Sequence, residues 1–112
     1  NTTVIICGDH PSMDAAYFDR TIDSDYSRHV YNCFINSAVT TDNTKDRLFT
    51  PFDMFPTTLA AMGCTVEGDR LGLGTNLFSG LPTLSEKYSI DYVNDEIGKS
   101  SDYYLKKFCK SK

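Results

Sequence analysis

An aspartate and a histidine stand side by side in the stretch TVIICGDHPS, at Asp9 and His10. A carboxylate oxygen and an imidazole nitrogen are both good ligands for zinc or manganese. The apolar run Val4 to Cys7 precedes them, followed by Gly8. This β-branched run reads as a short, fully buried strand over 3–7 that the glycine ends. Pro11 prevents simple continuation and puts Asp9 and His10 in a loop. In open α/β sheets ligands bind beyond the carboxyl ends of strands, which is where this loop falls. Neighbours in a strand point to opposite faces, whereas neighbours in a loop can aim at one point. Two ligands do not complete a catalytic metal site, which takes at least three protein ligands and an open position. The plainer alternative is an aspartate that caps the following turn and a histidine on the surface.

The other candidates are thinner. Ser12, two residues past His10, is placed to contact an anion, although such a serine more often caps a turn. His29 is the second imidazole and, near the start of a strand, reads as a surface or half-buried residue. Arg70 lies in a glycine-rich loop where a phosphate contact is conceivable, but a structural arginine is the ordinary case. The four cysteines, Cys7, Cys33, Cys64 and Cys109, have no zinc-site spacing. Cys7 and Cys33 lie in strand-like runs and read as small buried hydrophobes. There is no G-x-S-x-G, no P-loop and no H-E-x-x-H.

The elements that must hold these residues follow from the pattern along the chain. Residues 12–20 have room for a helical turn. His29 to Val39 alternates with period 2 and reads as a second strand, about 30–38. Residues 40–47 form a loop. FTPFDMFPTTLAAMG is the clearest helix, over 53–62, with Asp53 as N-cap, Pro56 in the first turn, Phe55, Leu59 and Met62 on one face, and Gly63 as the stop. VEGDRLGLGTNLFSG reads as a long ordered loop. Thr83 and Glu86 form a capping-box pattern that opens a short helix through Tyr88. Asp91 starts another helix, and Ser100 caps a last one over Tyr103 to Phe108. With 112 residues, 40% of them apolar, this is one domain or a piece of one. One or two strands among several helices do not complete a sheet, so the expected class is α/β, a short sheet with flanking helices, one flank of a larger domain.

The net charge of −4 and the lack of a basic stripe argue against nucleic acid as a partner. Lys106, Lys107, Lys110 and Lys112 read as a solvated basic tail. No apolar run approaches the roughly 18 residues that cross a bilayer. The chain starts Asn1-Thr2-Thr3 rather than at a methionine, and a longer polypeptide upstream is expected.

Three stretches together carry a resemblance. TVIICGDHPS resembles the strand-loop of the alkaline phosphatase and sulfatase superfamily that ends in an Asp-His metal pair. FTPFDMFPTTLAAMG resembles that superfamily's D-x-x-P-T-x-L-x-x-x-G helix, and GDRLGLGTNLFSG the G-x-x-L loop that follows it. The loop is most similar to the phosphoglycerol transferase branch, which includes lipoteichoic-acid-synthase-like enzymes. The resemblance covers most of residues 3–80. It implies that residues 1–112 are the C-terminal part of an alkaline-phosphatase-like α/β sandwich in a membrane-anchored parent at the extracytoplasmic face of a bacterial membrane, the 112-residue piece itself being soluble. It implies Asp9 and His10 as ligands of manganese or zinc in the full-length protein, with no metal expected to stay on this piece alone. It implies a phosphoglycerol lipid donor and a glycan or glycolipid acceptor. The family's threonine nucleophile and acidic ligand lie upstream of the Asp-His motif and have no match here, so this piece is expected to be inactive. Pro11 and Ser12 replace the usual glycine or aromatic residues after Asp-His. A sulfatase or phosphoethanolamine transferase of the same superfamily, or a non-catalytic domain, are the alternatives.

Overall fold

The computed structural model describes residues 2–23, 25–42 and 45–109. Strand β1 (Val4–Cys7) leads through the loop of Asp9 and His10 to helix α1 (Ala15–Thr21), then to β2 (Asn32–Ile35) and helix α2 (Pro51–Ala61). A 3-10 turn at Glu67–Asp69 and two short strands, β3 (Arg70–Leu71) and β4 (Gly74–Thr75), follow. Helices α3 (Leu84–Tyr88), α4 (Ile90–Gly98) and α5 (Asp102–Phe108) complete the chain. The fold is mixed α/β. Both of its sheets are antiparallel pairs, β1 with β2 and β3 with β4. The loop read over 40–47 holds where it is described; residues 43–44 lie outside the described residues.

Strand β1 is not fully buried. Its register pairs Val4 with Ile35 and Ile6 with Cys33, so these four share one face of the pleat. Val4, Ile6 and Ile35 are 44%, 48% and 50% exposed. The opposite face is covered: Phe34 meets Phe78 edge to face at 5.3 Å. A continuous apolar run implies cover on both sides, and here only one side has it. Cys33 lies on the open face and is half-buried, and Cys7, on the opposite face at the end of the strand, is exposed; both have free thiols, against the expectation of buried hydrophobes. Strand β2 spans four residues, not the whole of 30–38. Asn36 takes a positive φ of 55°, which ends the strand.

Helix α2 starts two residues earlier than 53. Thr50 is the N-cap, Pro51 takes the first helical position, and Asp53 is the third residue of a capping box rather than the cap. Pro56 therefore falls inside the helix. Its missing N–H would have bonded to the carbonyl of Phe52. Instead, that carbonyl is met by β4. A Cβ on Gly74 would lie 2.0 Å from the Phe52 oxygen and 3.1 Å from Pro56 Cδ. Only glycine permits this approach. The packing of α2 follows from it. The buried residues are Asp53, Pro56, Thr57, Ala60 and Ala61, while Phe55 and Met62 are 60% and 53% exposed. Two residues of the expected stripe are thus turned outward, Leu59 is half-buried, and α2 packs on the β3–β4 ribbon. Gly63 does stop the helix. At φ 86° its N–H donates to Ala60 and that of Cys64 to Leu59, both at 2.9 Å, the Schellman pattern.

The glycine-rich segment is a tight ribbon rather than loop throughout. Thr57 Oγ1 accepts from the Leu77 N–H at 2.9 Å, and Asp53 Oδ1 from the Thr75 N–H at 2.7 Å. Arg47 closes the other side. Its guanidinium makes two bonds to Glu86, at 2.7 and 2.8 Å, and donates to the carbonyls of Leu77, Ser79 and Leu81. Glu86 also completes the expected capping box with Thr83. Ser89 and Ser101 cap α4 and α5, displacing the starts read at Asp91 and Ser100.

Hydrogen bonding from Arg47 holds the Glu86 carboxyl below its usual range, helped by the Thr83 N–H and opposed by partial burial. A depressed carboxyl stabilises the fold above its unfolded value of about 4.3 and stops doing so as pH falls through the folded value. Urea midpoints measured against pH are expected to drop across that acid window, and the drop to shrink in Arg47→Ala. Identical acid limbs for the two proteins would count against the clamp.

Among the described residues the buried apolar side chains are Ala60, Ala61 and Val93, with Pro56 beside them. The radius of gyration is 17.4 Å, against about 13 Å for a compact domain of this length. Small residues hold the α2–ribbon unit together, and large apolar faces remain open.

Candidate metal site

Antiparallel pairing runs one step past β1, where the Gly8 N–H donates to the Tyr31 carbonyl at 2.9 Å. A Cβ on Gly8 would stand 2.9 Å from Val30 Cβ, so the chain leaves the sheet at the one residue that clears its neighbour. Asp9 and His10 follow in the exposed loop. Their side chains turn to a common side, with His10 Nε2 3.5 Å from Asp9 Oδ2 and side-chain exposures of 55% and 86% respectively.

The remaining donors and acceptors define the pair's chemistry. Asp9 Oδ1 accepts the His10 backbone N–H at 2.9 Å, which fixes the carboxylate and leaves Oδ2 forward. His10 Nδ1 lies 2.8 Å from the Pro11 carbonyl oxygen. A carbonyl only accepts, so Nδ1 carries the proton in that contact. In the neutral ring Nε2 then bears the lone pair. This is how ligating histidines are usually oriented, with the second nitrogen donating to a carbonyl or carboxylate. Two electron-pair donors consequently face one space. Ligands about 2.0–2.2 Å from a tetrahedral zinc lie roughly 3.4 Å apart, close to the separation seen here. The residues fit half of a metal site.

No third His, Cys, Asp or Glu joins a metal-holding group among the described residues. His29 is not brought into such a group. Ser12 Oγ accepts weakly from the Asp14 N–H at 3.4 Å, and Asp14, not Asp9, caps α1 by accepting from Tyr17 N at 3.0 Å. Arg70 donates to the Pro82 carbonyl at 2.9 Å and so takes the structural role. A concavity of about 500 Å³ lies elsewhere, between β2 and α2, with Phe34, Phe49, Phe78 and Arg47 in its walls. Its arginine is committed to Glu86 and three carbonyls, and the chemistry of Asp9 and His10 is outside it.

No family model, curated protein or solved structure matches this chain.

The sequence reading missed the Pro11 carbonyl as the group that orients His10. A signal was present, because a proline after a histidine fixes its own φ and with it the path of the loop. Tyr31 was also missed. It stands opposite Gly8, and a hydrogen bond with Cys33 holds its phenol above the usual value. No helix of the described residues is long and apolar enough to cross a membrane.

Proposed function

We propose that this chain is the C-terminal part of the catalytic domain of a metal-dependent phosphoglycerol transferase, moving glycerol phosphate to a glycan or glycolipid hydroxyl at the extracytoplasmic face of a bacterial membrane. The observation that carries the reading is the pair of lone-pair donors, Asp9 Oδ2 and His10 Nε2, turned to one side at 3.5 Å. Both side chains are exposed, and a divalent cation between them would be bound by the Asp9 charge and the Nε2 lone pair together.

Within that reading Asp9 and His10 hold a manganese or zinc ion, and the Pro11 carbonyl keeps the His10 ring in the ligating tautomer. A divalent ion there would activate an oxygen nucleophile and offset negative charge on the phosphoryl group. Ser12 accepts from Asp14, which leaves its hydroxyl proton free to donate to a phosphoryl oxygen. The nucleophile and the remaining ligand belong to upstream chain. The bare apolar face of Val4, Ile6 and Ile35 and the outward face of Phe55 and Met62 support an upstream partner, since exposed apolar surface on this scale is characteristic of interfaces.

Zinc titration of the 112-residue chain, followed by imidazole NMR, tests the pair. His10 is expected to respond and His29 to stay put, with saturation only above roughly micromolar zinc because two of four ligands are supplied. Asp9→Ala is expected to weaken the response at least about tenfold. A response centred on His29, or one indifferent to Asp9→Ala, would place the ligands elsewhere.

A further inference from the structure

The last 14 residues contain five of the chain's eleven Lys and Arg residues and a single carboxylate, Asp102. A chain of net charge −4 is thus basic at one end. Helix α5 carries this segment, and none of its side chains is buried. Locally the helix is complete: Ser101 Oγ accepts from Tyr104 N at 3.2 Å, and the Cys109 N–H donates to the Leu105 carbonyl at 3.2 Å. Its exposed face is therefore not a consequence of poor helix formation.

At 3.6 residues per turn Tyr104, Leu105 and Phe108 fall on one arc, and Lys106 and Lys107 border that arc on either side. Tyr104, Leu105 and Phe108 are 56%, 47% and 63% exposed. The rings of Tyr104 and Phe108 lie 5.1 Å apart and make one continuous apolar plate. Of the two lysines, Lys106 reaches Asp102 only at 3.9 Å, with both partners in solvent, an interaction worth little. Lys107 donates to the Tyr103 hydroxyl at 2.8 Å, stands 5.7 Å from the centre of the Phe108 ring, and meets no carboxylate among the described residues.

We propose that α5 docks on an anionic phospholipid bilayer. Tyr104, Leu105 and Phe108 enter the boundary between headgroups and acyl chains, and Lys106 and Lys107 extend sideways to the headgroup phosphates. Charge complementarity selects this occupant. A nucleic acid would satisfy the lysines and leave Leu105 and Phe108 in water. A second copy would bring its own lysines against these two around the same apolar plate. The inference rests on α5 alone and stands apart from the phosphoglycerol transfer reading.

The test is co-sedimentation of the 112-residue chain with phosphatidylglycerol vesicles and, in parallel, phosphatidylcholine vesicles. Partition onto phosphatidylglycerol is expected to be at least about tenfold stronger and to weaken with salt. The double variant Lys106→Gln/Lys107→Gln is expected to lose roughly 25-fold, about fivefold per charge. Tyr104→Ser/Phe108→Ser is expected to lose at least tenfold as well. Neither variant removes a buried side chain, and circular dichroism checks that each still folds. Equal pelleting with both lipids overturns the proposal. So does loss in the lysine variant alone, which would mean simple polyanion adsorption. A vesicle-free dimer that disappears in the aromatic variant would make a second copy the occupant and would also overturn it.

Discussion

On the phosphoglycerol transfer reading, replacing His10 by alanine in a longer polypeptide that supplies the rest of the site is expected to lower turnover of a phosphoglycerol lipid by roughly 10³-fold or more, with no loss of fold. The size follows from the role. A residue that holds the metal contributes through the whole catalytic unit, and removing one member of such a unit costs nearly as much as removing several. The preserved fold follows from position. The His10 and Asp9 side chains are 55% and 86% exposed, and a surface pair of this kind contributes about 0–1 kcal/mol to stability. Asp9→Ala is expected to match His10→Ala in rate and melting temperature. On the same reading the nucleophile lies upstream, and the 112-residue chain alone is expected to show no turnover. Assays of both variants and of the short chain, with manganese and zinc supplied, decide the matter. Wild-type rates in either variant would remove the pair from the mechanism, and turnover by the short chain that vanishes on Asp9→Ala would refute the division of the site between two parts of the polypeptide.

The Asp-His loop was legible in the sequence because its signals are local. A β-branched run, a glycine and a proline fix where the strand ends and the loop begins. The capping box of Thr83 and Glu86 and the stop at Gly63 were legible for the same reason. What surrounds them was not. Phe55, Leu59 and Met62 have the spacing of a buried stripe, yet α2 buries Asp53, Pro56, Thr57, Ala60 and Ala61. The choice is made 21 residues further on, at Gly74, whose missing side chain lets a strand reach the Phe52 carbonyl. Periodicity reports which residues are apolar but not which face a distant ribbon will occupy. Strand β1 shows the converse. Its composition asks for two covered faces, and 112 residues supply one. In the candidate site, residue types pointed to Asp9 and His10, while the tautomer of His10 required the Pro11 carbonyl to be seen at 2.8 Å.

Asp53→Ala is the substitution expected to cost the fold most among polar residues, about 3 kcal/mol. The Asp53 carboxylate is 2% exposed and joins two parts of the α2–ribbon unit. Its Oδ2 accepts from the Thr50 N–H at 2.8 Å and from Thr50 Oγ1 at 3.1 Å, which closes the first turn of α2. Its Oδ1 accepts from the Thr75 N–H at 2.7 Å, which ties β4 to that turn. Alanine leaves the buried Thr75 amide without a partner, at about 1–3 kcal/mol, and opens the capping box, at about 1 kcal/mol. Total stabilities of small domains are about 5–15 kcal/mol, so the loss is a large fraction. Asp53→Asn separates the two contributions. Its carbonyl oxygen can still accept from Thr75, but its amide group then faces two donors on Thr50, and roughly half the loss is expected. Urea denaturation gives the totals, and hydrogen exchange at the Thr75 amide reports the ribbon contact directly. That amide is expected to lose protection in Asp53→Ala and to keep most of it in Asp53→Asn. An alanine variant within about 0.5 kcal/mol of the parent, with the Thr75 amide still protected, would show that α2 and the ribbon are held by something other than this carboxylate, and would leave the aspartate of the D-x-x-P-T motif without a structural role.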